Sequence, residues 1–343
     1  MIAALLALAL AETRPSLIWS QCTKAGCTKV SGSVTVDVSS RGKPPADVDY
    51  AAQLGVTSTG TSLTQKLVTI HNGVKNVGSR LYLLNSAGTA YQMFKLVGKE
   101  LTYDVDLSEL PCGMNGAIYT SEMPAAGGSA GAAYGSGYCD ANYVDGNGCA
   151  EFDIAEANTR GNVFTTHPCN RLGTGTRTTI QCQSDGCGFN AYRYGAKQFW
   201  GPGSSYTVDT SKPMTVITQF LGTGSLTEIR RLYKQGGKLI QNAKPLVYNT
   251  ASYDSLTDAF CKTAGHSVTP TTSLAQMGKS FDVGHVLIFS LWDAVDGMGW
   301  LDASEYGPCP GGTADSAAAI EARSPNLKIV YSNVKFGDID STY

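Results

Sequence analysis

Three carboxylates fall within six residues of the segment CAEFDIAEAN, at Glu151, Asp153 and Glu156. Side chains of an extended strand alternate between faces, so Glu151 and Asp153 share one face while Glu156, five residues on, points to the other. A one-residue bulge would return all three to the same side, and bulges are common beside active sites. Like charges on one inward face raise a carboxyl pKa or call for a ligand between them. Glycosidases use that arrangement: in the retaining type two carboxyls about 5 to 5.5 Å apart serve as nucleophile and general acid/base. A polar strand facing solvent would carry the same residues, so the surroundings decide.

Aromatic side chains suited to sugar faces accompany the carboxylates: Trp292 in SLWD, Trp300 in GWLD, Trp200 in FWGPG and Tyr119 in NGAIY. Any single Trp is as readily a core residue. Trp292 and Trp300, eight residues apart beside an Asp-rich turn, are the more suggestive pair.

The elements that must position these residues read as strands. Period-two alternation recurs in SVTVDV (33 to 38), KLVTI (66 to 70), RLYLLN (80 to 85), LTYDVDLS (101 to 108), MTVITQF (214 to 220), HVLIFSLW (285 to 292) and KIVYSNVKFG (328 to 337). That rhythm predicts half-buried antiparallel strands. Glycine-rich loops separate them, and only Leu256 to Lys262 and Leu274 to Lys279 suggest helix. No repeat or linker divides the chain, so an all-β fold is expected: a two-sheet antiparallel sandwich with long loops and a few short helices.

Composition narrows the function classes. The 343 residues are 42% hydrophobic and 16% charged, with 39 glycines and a net charge of −2, enough to bury a large core. No basic run offers a footprint for nucleic acid. Apart from residues 2 to 11, no apolar stretch approaches the roughly 20 residues of a membrane span. IAALLALALA at 2 to 11 reads as a secretory signal, which leaves 12 to 343 as one catalytic domain, secreted and extracellular. Ten cysteines without a CxxC spacing suit five disulfides better than a metal site. There is no N-x-S/T sequon.

The segments WSQC, YQMFKLVGKELTYDVDLSELPCGMNGAIY, YGSGYCD, CAEFDIAEAN, THPC, FWGPGSSYTVDTSK, VLIFSLWD, GWLD and SPNLKIVYSNVKFGDIDST follow one another over nearly the whole chain. In this order they resemble glycoside hydrolase family 7, the fungal-type cellobiohydrolases and endoglucanases. A bare ExDxxE is shared with family 16; THPC and SNVKFGDIDST narrow the resemblance. It implies a jelly-roll, concanavalin-like sandwich and a β-glucan substrate, with no metal or cofactor. The chain is expected to work as a monomer without nucleic-acid or membrane partners.

Carried over by motif, the resemblance makes Glu151 the nucleophile, Asp153 the carboxylate that steers it and Glu156 the general acid/base, with an acid-to-neutral pH optimum. It sets His167 beside the acid/base, Tyr119 and Asn115 near the nucleophile, and Asp140 near the carboxylates. Trp292 becomes a platform on the nonreducing side of the cleavage point and Trp300 one on the leaving-group side, where Arg177, Asp185 and Arg193 would contact sugars. The implied bridges are Cys22 with Cys27, Cys112 with Cys309, Cys139 with Cys149, Cys169 with Cys182, and Cys187 with Cys261.

Departures from the family pattern bear on the activity. SSRGKPPADVDYAAQLGV replaces a Trp-bearing strand, only eight residues separate GYCD from CAEFD, and WLDASEYGPC lacks an Arg-containing insertion. Loss of roofing loops implies an open groove, hence an endo-acting retaining β-1,4-glucanase acting on cellulose or mixed-linkage glucan. A β-1,3 or β-1,3-1,4-glucanase, or a catalytically weak glucan-binding sandwich, are the alternatives, because remote subsites supply energy that positions the reacting bond.

Overall fold

Alternation of side chains along the strands builds two sheets that share one apolar layer. The computed structural model describes residues 12–343; the segment read as a secretory signal lies outside the described residues. One sheet runs Cys187–Phe189, Asn162–His167, Glu151–Ala157, Met114–Ser121, His285–Asp293, Ser79–Leu84, Ser33–Val36, every neighbour antiparallel. The other runs Lys238–Gln241, Glu228–Gln235, Met214–Leu221, Lys99–Asp106, Lys328–Asp338, Trp19–Thr23, Gly26–Val30. In it Trp19–Thr23 pairs parallel with Lys328–Asp338, a departure from the all-antiparallel expectation. No hairpin joins those two strands, so turn geometry does not fix their direction.

Phe152 and Ile154 of the carboxylate strand enter the core that lies between the sheets. Phe152 packs edge-on against Phe220 of the second sheet, ring centroids 5.4 Å apart, and against Phe281 at 5.9 Å. Burying a side chain of this size contributes about 1.5 to 3 kcal/mol, so the strand's position is set from behind by apolar contact. The central His285–Asp293 strand is buried over its first seven residues, one face on the core and the other on the floor of the cleft.

All five implied disulfides are present. The two expected helices form as Asp258–Thr263 and Leu274–Val283, capped by Thr257 and Ser273. KLVTI does not form one strand. The chain turns at Leu67, so Ser62–Lys66 joins the second sheet and Val68–His71 starts a separate hairpin with Val74–Val77. Leu67 is fully buried, and its N–H and C=O bond Leu327 and Gly78 rather than a ladder. Among the described residues no helix is long and apolar enough to cross a membrane.

Candidate active site

The bulge that would bring the carboxylates onto one face is there. Against Asn162–His167, Asp153 pairs with Thr165 and Glu156 with Val163, so three steps on one strand match two on the other. Against Met114–Ser121, Ile118 pairs with Ala155 and Tyr119 with Asp153, skipping Ile154. Ile154 and Ala155 therefore both face the core, and Glu151, Asp153 and Glu156 all line a cleft of about 980 Å³.

Hydrogen bonds distinguish the three acids. The Ala141 N–H donates to Glu151 Oε2 at 2.9 Å, a contact that favours the ionised form. Asn115 Nδ2 donates to Glu156 Oε1 at 2.9 Å. His167 Nε2 lies 2.9 Å from Asp153 Oδ2 and its Nδ1 2.8 Å from the Gln183 carbonyl. Both ring nitrogens face acceptor oxygens, so the His167–Asp153 pair must carry a proton on each side of the ring. Gly186, with φ +59°, lets the ring in: a Cβ there would lie 2.6 Å from His167 Nδ1.

The electrostatics follow from this packing. Burial, then repulsion from Asp153, raises Glu151 well above the usual range, opposed by the His167 charge and the Ala141 N–H. The same two causes push Glu156 up to about 8. Burial opposes the charge on His167, but the bond to Asp153 and the negative field of Asp153 and Glu151 outweigh it and raise the ring to about 10. The two glutamates share Asp153 and His167 as charged neighbours. Glu156 is partly open to the cleft, whereas Glu151 is buried.

Of the remaining expected residues, Tyr119, Asp140, Asp185, Arg193, Trp292 and Trp300 line the same cleft. Trp292 is 38% exposed and Trp300 44%, which leaves ring surface free for a ligand. Tyr119 pairs across the strands with Asp153, and its hydroxyl meets that of Tyr138 at 3.0 Å. Asp140 adds to the field that raises Glu151.

Two placements differ from expectation, those of Asn115 and Arg177. Asn115 belongs to Glu156 rather than to the nucleophile position, because the antiparallel register sets Ser121, not Asn115, opposite Glu151. His167, expected beside Glu156, acts on it through its charge, while its hydrogen bond goes to Asp153 because it stands opposite Glu151 in the strand pair. Arg177 does not line the cleft: its guanidinium lies 4.2 Å over the Tyr143 ring and donates to the Asn142 carbonyl at 2.8 Å. Trp200, which the sequence left open to either role, is a core residue whose indole N–H donates to the Asn158 carbonyl at 2.9 Å.

Sequence reading passed over Arg80, Tyr138 and His266, which also line the cleft. Arg80 lies 3.4 Å over the Tyr138 ring and pairs with Asp37 at 2.9 Å and Asp145 at 2.7 Å. Alternation along RLYLLN already placed Arg80 and Tyr82 on one face, and a charge alternating with apolar residues was the available signal.

Residues 45–145 and 142–343 match the model of glycosyl hydrolase family 7. A probable endo-beta-1,4-glucanase celB of Aspergillus clavatus is 37% identical over 393 residues, covering 97% of this chain and 93% of that protein. Its counterpart in Aspergillus fumigatus is 37% identical over 396 residues, with 97% and 94% covered. Among solved structures, a family 7 cellobiohydrolase from Daphnia pulex superposes with a TM-score of 0.89 at 31% identity, covering 98% of this chain and 99% of that one. The Humicola insolens endocellulase EGI gives 0.88 at 33% identity, with 97% and 98% covered. With its family model matched along most of its length and its three carboxyls gathered in one cleft, the chain belongs to glycosyl hydrolase family 7.

Proposed function

We propose that the protein is a secreted endo-acting β-1,4-glucanase that cleaves cellulose or mixed-linkage glucan with retention. Glu151 attacks the anomeric carbon while Glu156 gives its proton to the departing glycosidic oxygen; Glu156 then takes a proton from the water that releases Glu151. One observation carries this reading: the Ile154 bulge turns Glu156 into the cleft beside Glu151, and burial keeps it protonated up to about 8. The Ala141 N–H and the His167 charge act on Glu151 toward the ionised form that a nucleophile needs, against burial and Asp153. Asp153, tied to His167, orients the pair. Trp292 and Trp300 offer the sugar platforms, and Asp185 and Arg193 the polar edges on the leaving-group side.

The endo assignment rests on the rim. Residues 141–148 form a short turn closed by the Cys139–Cys149 bridge and held by paired Gly148 and Gly175 backbone bonds of 2.6 and 3.0 Å. A segment so tied leaves little chain to roof a tunnel. Carboxymethylcellulose followed by viscosity and reducing ends together tests the reading, with Glu151→Gln as control. A steep viscosity drop with few new ends is expected; new ends accumulating at near-constant viscosity would assign an exo-acting enzyme.

The pH profile tests the roles. Activity requires Glu156 protonated, so kcat/KM on an aryl cellobioside should fall as pH rises through about 8. That extends the acid-to-neutral optimum expected from sequence to the mildly alkaline side. A profile still climbing at pH ~10 would remove Glu156 from the acid role.

A further inference from the structure

Behind the three carboxylates, in the apolar layer between the sheets, lies a fully buried cation. Arg231, on the Glu228–Gln235 strand of the second sheet, is 0% exposed. Its Nη2 reaches across the core and donates to the main-chain carbonyl of Ile154, while Nε and Nη1 have no protein partner among the described residues. The guanidinium lies 4.4 Å from the Phe164 ring centroid and 5.8 Å from that of Tyr233. Burying a charge with so few partners is costly, and an apolar side chain of similar volume would often be no less stable there. Stability alone therefore does not account for it.

Its one polar partner does. Ile154 is the residue skipped in the register with Met114–Ser121, and with Ala155 it makes two residues against one in the register with Asn162–His167. A bulge leaves its extra residue outside the ladder, and a carbonyl turned into an apolar core without a donor costs about 1 to 3 kcal/mol. Regular pairing would remove that cost, but it would also return Glu156 to the core side of the sheet. We infer that Arg231 is a positioning residue for catalysis: by holding the Ile154 carbonyl from the opposite sheet, it locks the bulge that turns Glu156 into the cleft. The inference rests on the acid/base role given to Glu156 above. The aromatic rings beside the guanidinium offset part of its desolvation, and the second sheet thereby acts on the chemistry without touching substrate.

The test uses the full chain with Arg231→Met, which keeps volume and removes the donors, and Arg231→Gln, which keeps one amide donor. Two substrates read the position of Glu156: phenyl β-cellobioside, whose poor leaving group needs a proton, and 2,4-dinitrophenyl β-cellobioside, whose good leaving group does not. Arg231→Met should lower kcat/KM on the phenyl substrate by about 30-fold or more and leave the dinitrophenyl value within about 3-fold, a fraction of the general-acid contribution. Arg231→Gln should fall between Met and wild type. Release of the glycosyl-enzyme needs Glu156 as base, so kcat on the dinitrophenyl substrate should fall in the Met variant, and azide, a nucleophile that needs no base, should restore it.

An equal loss on both substrates would mean general damage to the fold and overturn the inference, as would no loss on either. Should the Met variant fail to melt cooperatively, Arg231→Gln is read by the same criterion. Glu156→Gln run in parallel separates the two levels. If it lacks leaving-group dependence, the acid/base assignment itself fails and the inference falls with it.

Discussion

Glu151→Gln is expected to lower kcat/KM by about 10⁵-fold or more on carboxymethylcellulose and on activated aryl cellobiosides alike, the scale on which loss of a nucleophile acts. The loss is independent of leaving group because no covalent intermediate forms without the carboxylate, however easily the aglycone departs. The substitution is close to isosteric, and the amide oxygen can still accept the Ala141 N–H that now bonds Oε2. It also removes a charge that burial and Asp153 both oppose. The variant should therefore melt at or above the wild-type temperature at neutral pH. Residual activity within tenfold of wild type would withdraw Glu151 from the nucleophile role.

Glu156→Gln is expected to cost about 10² to 10⁴-fold on carboxymethylcellulose, the usual contribution of a general acid/base. On a dinitrophenyl substrate the loss in kcat/KM should be far smaller. The alkaline limb near 8 should vanish with the residue that produces it. Stability offers a second reading. An unfolded glutamate titrates near 4.3, and the folded Glu156 near 8, so the folded state binds the extra proton between those values and loses stability as pH rises through them. The Gln variant has no such loss. Its melting temperature relative to wild type should therefore climb from about pH 4 to about pH 8 and then level. A constant difference across that range would mean that burial does not shift Glu156.

How much of this was legible depends on the range of the interaction that decides each feature. Alternation is local, so the strands at Lys99–Asp106, Met214–Leu221 and His285–Asp293 were readable to within two residues. Alternation also shows that Glu151, Asp153 and Glu156 can share a face only if a bulge intervenes, and the bulge is present. It gave no hint of what stabilises the bulge, since Arg231 lies 77 residues away in sequence and reads as one charge in EIRRLYK. Register across strands was the limit elsewhere. Asn115 and His167 were recognised as site residues, yet which acid each serves depends on pairing that no single segment encodes.

Aromatic and cationic side chains were the least readable. Trp200 and Trp292 sit in similar local contexts, and only the closed fold sends one to the core and leaves the other on the cleft. Arg177 sits on Tyr143 because that ring is nearby in space, 34 residues back in the chain. The short helices Tyr50–Leu54 and Ala317–Arg323 went unread although Asp49 and Ser316 cap them through their side chains. One or two turns carry too little periodicity to stand out.

The place of Lys328–Asp338 has a consequence for how the molecule comes to exist. Made after every other strand of the two sheets, this strand occupies the middle of the second sheet, between Lys99–Asp106 and Trp19–Thr23, and also pairs with Ser62–Lys66. Until it arrives, those three earlier strands have unpaired edges, and loop closure over nearly the full chain length must precede their pairing. Vectorial synthesis therefore cannot build the supporting sheet piece by piece. The carboxylate strand is made long before the layer that backs it, and the nascent chain is exposed to edge-to-edge association in the interval.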